Sequence, residues 1–163
     1  MNIFITGLNR FIARRLSLWL SDRGHSITGT SRSSNDRFPS IAWRLGDEID
    51  RSVFANIDVI IHAAHDFTPG AKNTNVSGTI ALEQAASASG VPRQIFISSL
   101  STRPDAVSEY GQTKLAEEKY FLSRGHTVVR PGTVLGGLFG KLAGMMGGCL
   151  CCLSSMADAP ASQ

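Results

Sequence analysis

The chain has 163 residues, 42% of them hydrophobic and 18% charged, with a formal net charge of +3. That is room for one domain of ordinary size, and the composition excludes wholesale disorder. A mean hydropathy of +0.01 excludes a polytopic membrane protein, and the mild, scattered basic excess argues against a nucleic-acid partner.

The pattern along the chain alternates short β-rich runs with helical stretches. Asn2–Thr6 is apolar and strand-like. Phe11–Asp22 follows as a helix with Phe11, Ile12, Leu16, Trp19 and Leu20 as its apolar stripe, and Gly24 is placed to end it. Ser26–Thr30 is a second strand, Ile41–Leu45 a weaker third and Asp58–Ala63 a fourth. The Ala-rich stretch Asn73–Ser89 is predicted helical and is closed by Gly90 and Pro92. Gln94–Ser98 is a fifth strand. Tyr110–Arg124 is a helix expected to carry its Lys and Glu residues on outer faces, and His126–Arg130 is a sixth strand ended by Pro131-Gly132. Continuously apolar strands separated by helices imply a parallel sheet covered on both faces, hence an α/β, doubly wound architecture. In such sheets ligands bind beyond the carboxyl ends of the strands, so the residues just past each strand are the informative ones.

Past the first strand stands Gly7-Leu8-Asn9-Arg10-Phe11-Ile12-Ala13. The spacing suits a G-x-x-G-x-x-G turn in which backbone N–H groups and a helix N-terminus hold a pyrophosphate. Only Gly7 is present as Gly; Arg10 and Ala13 fill the other two positions. Arg10 either blocks the close approach of phosphate or binds it directly. Twelve of the sixteen basic residues are Arg, and a guanidinium suits bidentate phosphate contacts. Past the second strand, Arg32 between two serines suits a 2′-phosphate and favours NADP over NAD, unless it is simply a solvated loop residue. Past the third, Asp47 either accepts a hydrogen bond from an adenine amino group or caps a helix. Past the fourth, the small Ala63 and Ala64 leave room for a flat ring and a ribose. His62 is expected to be an ordinary packed residue, and neither it nor His65 has the further partners a metal site needs, so no metal is expected. Past the fifth come Ser98-Ser99-Leu100-Ser101 and then Tyr110 and Lys114, which lie i, i+4 on one helical face. A nearby ammonium favours a phenolate, which suits a tyrosine for acid–base work, and a serine hydroxyl can hold a substrate oxygen.

Five segments in order resemble the extended short-chain dehydrogenase/reductases of the NAD-dependent epimerase/dehydratase family, over about Asn2 to Gly136. They are Asp58–Ala64 (the pattern D-V-V-I-H-x-A-A), Asn75–Thr79 (N-V-x-G-T), Phe96–Ser99, Tyr110–Lys114 (Y-x-x-x-K) and Val129–Gly132 (R-P-G after the sixth strand). The resemblance implies a Rossmann-like NAD(P)-binding domain over residues 1–141. It implies Tyr110 as catalytic acid/base, with Lys114 on the nicotinamide ribose. The turn Gly7–Ile12 would lie at the pyrophosphate, Arg32 at a 2′-phosphate, Asp47 at adenine, Ala63 and Ala64 along the cofactor, and Pro131 beside the nicotinamide. The substrate would be a small carbonyl compound or a nucleotide-sugar-like molecule. The position of the catalytic Ser/Thr falls on Leu100, so Ser99 or Ser101 would have to serve. That departure, with Arg10 in the turn, keeps a second reading open: a catalytically inactive nucleotide-binding remnant.

Family-like sequence fades near Leu142, and residues 142–163 are expected to be an atypical tail, disordered or frame-shifted, with the last strands and the substrate domain missing. Seven of the sixteen Gly lie between Gly132 and Gly148. A weaker expectation is a membrane anchor within 133–157, but the uncharged run is shorter than the roughly 20 residues a span needs. The short apolar opening, Ile3–Ile5, is no signal peptide, and Cys149, Cys151 and Cys152 are too bunched to staple a fold; a cytoplasmic setting is expected. An exposed sheet edge would favour self-association into a homo-oligomer.

Overall fold

A computed structural model describes residues 1–33 and 35–132; residues 1–131 form one compact unit. Ten elements succeed one another: β1 (Asn2–Ile5), α1 (Phe11–Ser21), β2 (Ser26–Ser31), β3 (Ser40–Ala42), a 3-10 turn (Arg51–Phe54), β4 (Val59–His62), α2 (Lys72–Ala88), β5 (Arg93–Ile97), α3 (Glu109–Ser123) and β6 (Thr127–Val129). The strands form one sheet in the order β3-β2-β1-β4-β5-β6, every neighbouring pair parallel. The doubly wound α/β architecture read from the strand and helix alternation is the one the chain adopts. The order reverses between β1 and β4, which opens a crevice at their carboxyl ends.

Alternation along each strand feeds two cores. Ile3 and Ile5 pack with Leu8, Ala13, Ile27, Val59 and Ile61 on one face, where Leu16 and Leu20 of α1 cover them. Phe4 turns to the other face, against Trp43, Phe54, Ile60, Leu82 and Ala86. Both faces are therefore apolar, which is why the strands read as unbroken hydrophobic runs.

Four local expectations are corrected. Phe11 and Trp19, placed on the buried stripe of α1, are 43% and 41% exposed. Their rings are instead covered by arginines one turn on, with Arg15 5.3 Å from the Phe11 ring centre and Arg23 3.6 Å from that of Trp19. The third strand is shorter and earlier than Ile41–Leu45, because the chain turns at Arg44–Asp47, where the Asp47 Oδ2 accepts the Arg44 N–H at 2.9 Å. Asp47 therefore caps no helix; Asp50 caps the 3-10 turn, accepting the Ser52 N–H at 2.9 Å. Finally, α3 carries only part of its charge outward: Glu109 and Lys119 are exposed, but Lys114, Glu117 and Glu118 are 3%, 0% and 5% exposed. The helix is flanked by α2 on one side and the sheet on the other, so its ionic residues pair inside.

The N-V-x-G-T segment explains how α2 seats. A Cβ on Gly78 would lie 2.6 Å from the Gly46 backbone nitrogen, so only glycine lets the helix meet the Leu45–Gly46 turn. Gly78→Ala is expected to lower stability by about 1–3 kcal/mol through overpacking, read as a lower urea midpoint with an unchanged slope. Among the described residues no helix is long and apolar enough to cross a membrane. The expected tail, 142–163, and the candidate anchor, 133–157, lie outside the described residues.

Candidate functional site

The crevice is built from the ends of β1 and β4. Thr6 is buried, and its Oγ1 accepts both the Ala63 and the Ala64 N–H at 2.9 Å, which locks the two strand ends together. Gly7 then turns with φ +74°, and a Cβ there would stand 3.2 Å from the Ala64 Cα. A side chain would be both strained and crowded, so glycine is required at this position. The Gly7 N–H is held by the Thr30 Oγ1 at 3.1 Å, and the Leu8 N–H by the Thr30 carbonyl at 2.8 Å. Arg10 is the extended residue that begins α1. Arg14 is the first helix residue to bond back, to the Arg10 carbonyl at 2.8 Å. The N–H groups of Phe11, Ile12 and Ala13 are thus left without intrahelical partners, at the positive end of the helix dipole.

The Arg10 side chain does not point into open solvent. It crosses to the loop after β4, where an Nη2 donates to the His65 carbonyl at 3.5 Å and the guanidinium carbon lies 5.5 Å from the centre of the Phe67 ring. Phe67 in turn stacks on Tyr110, centroids 5.7 Å apart and planes at 19°. His65 stands edge-on to both, 4.7 Å from Phe67 and 4.9 Å from Tyr110. Three segments far apart in sequence therefore meet: the turn after β1, the loop after β4 and the first turn of α3. The loop itself is clamped by the buried Asn75 of the N-V-x-G-T segment, whose amide accepts the Asp66 N–H at 2.7 Å and donates to the Asp66 carbonyl at 2.8 Å.

Tyr110 is presented by a capped helix: the Ser108 Oγ accepts the Gly111 N–H at 3.1 Å. The Ser101 carbonyl packs directly on that turn at Gly111, which brings the serine segment beside the tyrosine. Of its residues, Ser98 is buried and donates to Glu118 at 2.5 Å. Ser99 accepts the Ser101 N–H at 3.1 Å, Leu100 is 60% exposed and Ser101 is exposed. Arg130, from the R-P-G segment, forks onto Glu118 at 3.1 and 3.0 Å through its Nε. Burial pushes the Glu118 carboxyl up, but the hydrogen bonds from Arg130 and Ser98 hold it below its usual range.

Lys114 shares the helix face of Tyr110 but is drawn inward. Its Nζ lies 3.2 Å from the Glu117 Oε2 and 4.5 Å from the centre of the Phe96 ring. Glu117 also accepts the Thr79 hydroxyl at 3.0 Å. Burial pulls the Lys114 ammonium below its ordinary value, with Glu117 opposing. The remaining sites are more peripheral. Arg32 is exposed past β2, and its charge, with that of Arg10, reaches the Asp66 carboxylate, which hydrogen bonds from Thr68 hold low in the first place. Asp47 is exposed and bonded to its own turn; Pro131 is half-buried beyond β6. His62 is a packed core residue, 2.7 Å from the Gln94 Oε1 and edge-on to Phe121 at 4.8 Å.

Sequence reasoning weighed His65 only as a metal ligand and did not mark Phe67 at all. A signal for the first was present: the eight positions of D-V-V-I-H-x-A-A, laid from Asp58, place the final Ala on His65. Nothing marked Phe67, an exposed loop aromatic whose significance is its neighbours.

A parallel sheet in this order, with a glycine turn and a helix N-terminus at the reversal point, defines a Rossmann-like α/β domain. A model of the NAD dependent epimerase/dehydratase family matches residues 3–136, and the chain belongs to that family. No curated protein sequence matches it. Among solved structures it is similar to UDP-glucuronic acid 4-epimerase from Bacillus cereus, in complex with NAD, at 23% identity and a TM-score of 0.68, covering 83% of this chain and 57% of that one. It is also similar to the Bordetella bronchiseptica enzyme WbmH in complex with NAD+, at 20% identity and a TM-score of 0.66, covering 86% and 59%. A short-chain dehydrogenase/reductase superfamily protein from Agrobacterium tumefaciens with bound NAD matches at 24% identity and a TM-score of 0.65, covering 80% and 48%. The chain spans about half the length of these neighbours.

Proposed function

We propose that the chain binds a nicotinamide dinucleotide across the carboxyl ends of β1, β2 and β4, and that Tyr110 serves as acid/base toward a small carbonyl or alcohol substrate. The observation that carries this reading is the meeting of the Gly7–Arg10 turn, the Ala63–Phe67 loop and Tyr110 at the reversal point of the sheet. The residues fit the group. The first-turn N–H groups of α1 and the Arg10 guanidinium suit a pyrophosphate, Ala63 and Ala64 leave a flat wall, and Arg32 past β2 suits a 2′-phosphate, favouring NADP over NAD. When bound, the nicotinamide would supply hydride chemistry. Tyr110 would move the proton at the substrate oxygen, with Ser99 or Ser101 from the packed serine segment holding that oxygen, and Asp47 and Pro131 would flank the adenine and nicotinamide ends. Two structures of one similar protein, MoeE5, hold UDP-glucose or UDP-glucuronic acid together with NAD, which supports a nucleotide sugar as the substrate class. Residues 1–141 would be the cofactor domain.

A fluorescence titration with NADH and NADPH tests the binding: a Kd below about 1 mM for either is expected, and no binding of either overturns the reading. With a nucleotide-sugar substrate, Tyr110→Phe should lower turnover by about 100-fold while leaving cofactor affinity unchanged. The second reading, a nucleotide-binding chain without turnover, is favoured by Leu100 in the serine position and by the burial of Lys114 against Glu117. Cofactor binding without measurable turnover in either the parent chain or the Tyr110 variant would select it.

A further inference from the structure

The side chain at the centre of the crevice is one that the cofactor reading does not use. His65 stands where the family pattern has Ala, is 9% exposed, and lies between three functional groups. Its carbonyl is held by Arg10, its ring is edge-on to Tyr110, and it is close enough to Lys114 to feel that ammonium's charge. Its Nδ1 is buried with no hydrogen-bond partner among the described residues. A buried polar atom without a partner is costly to the fold, and a ligand hydroxyl would relieve that cost. Lys114, the residue that would ordinarily be expected to meet a ribose here, is occupied by Glu117 and 3% exposed.

We propose that His65 makes a side-chain hydrogen bond to the ribose on the nicotinamide side of the bound dinucleotide. This rests on the cofactor reading above and assigns a contact within it. The chemistry is suitable. Burial in the first place, then the charges of Lys114 and Arg10 against that of Asp66, hold the imidazole at about 4, so it is neutral in ordinary buffers. A neutral imidazole donates at one nitrogen and accepts at the other, which matches a ribose hydroxyl. In the ligand-free fold the ring is covered by Phe67, a 63% exposed side chain held by ring contacts and the Arg10 guanidinium. A pyrophosphate drawn to Arg10 would take that guanidinium away from Phe67 and leave the aromatic ring free to swing off His65.

The test compares three probes on the full chain: NAD+, ADP-ribose and ADP. Only the first two carry the second ribose. His65→Ala is expected to weaken NAD+ and ADP-ribose by about 10-fold, the loss of one hydrogen bond, and to leave ADP within about twofold. In the parent chain labelled with 15N at histidine, the His65 ring signals should shift with NAD+ and ADP-ribose well beyond any change that ADP causes by drawing Arg10 off Phe67; His65→Gln assigns them and serves as a second variant should His65→Ala not fold. Equal weakening of all three probes, or no weakening of any, overturns the proposal while cofactor binding stands. Failure of all three to bind the parent chain removes the cofactor reading itself, and the proposal with it.

Discussion

Glu117→Ala is expected to remove about 3–5 kcal/mol of folding stability, the largest effect of any single substitution considered for this chain. Glu117 has no exposed surface, and its two oxygens are occupied by the Lys114 ammonium at 3.2 Å and the Thr79 hydroxyl at 3.0 Å. Truncation leaves a cation that is 3% exposed beside the Phe96 ring. Burial already pulls that cation's pKa down, and Glu117 is what opposes the shift. Total stabilities of domains are about 5–15 kcal/mol, so the variant would be near its unfolding midpoint or beyond it. The pair itself is not expected to be worth that much, because desolvation offsets most of the attraction between buried charges. Lys114→Met with Glu117→Leu should therefore recover most of the loss. Urea unfolding of the parent, the single and the double variant decides it: a single-variant loss below about 1 kcal/mol would mean that the pair is solvated.

Acid should unfold the chain in two phases, the first beginning well above the carboxylate range. His62 is 2% exposed, and burial, more than the Gln94 hydrogen bond can offset, lowers its pKa from 6.5 to about 4. The folded state holds the neutral ring while the unfolded chain takes up a proton below pH 6.5. Stability is thus fully present above 6.5 and is lost as pH falls toward 4. The loss reaches about 2 kcal/mol at pH 5 and about 3 kcal/mol at completion. His65 shifts the same way and adds to this phase. Glu83 belongs to the second phase. Although burial pushes it up, hydrogen bonds from Tyr120, His126 and Ser87 bring it down from 4.5 to about 2, so its contribution is present above pH 4.5 and disappears below. Thermal unfolding across pH 7 to 3 checks both. His62→Asn should be less stable at pH 7 yet show a shallower slope between pH 7 and 5. A parent chain whose melting temperature is flat over that interval would contradict the buried neutral His62.

Much of the fold was legible because its signals are short-range. The run Val59-Ile60-Ile61 of β4 is unbroken apolar sequence, α2 is closed by Gly90 and Pro92, and Gly7 follows β1 after a single residue. Each of these depends on residues within a few positions of one another, and from them the order of elements and the residues standing past each strand can be read. The Tyr110–Lys114 spacing was legible for the same reason, since one helical turn sets it.

The details of the site were not legible, because they depend on residues that come together only in three dimensions. The spacing puts Lys114 on the face of Tyr110, but Thr79 of α2, 38 residues before Glu117, helps hold the glutamate that draws the lysine inward. Arg10 meets the loop after β4 across a separation of 55 residues. Local pattern alone also suggested a charged outer face for α3, whereas packing against α2 and the sheet buries three of its ionic residues. By itself, then, the sequence determined the doubly wound architecture, the strand ends where a ligand is to be sought and the family. Only the tertiary structure decided which charges are paired inside, which side chain covers the crevice, and that His65 stands edge-on to Tyr110. Hydrophobic periodicity and turn geometry are set by neighbours along the chain, but burial and the partners of a charge are set by whatever the folded chain brings alongside it.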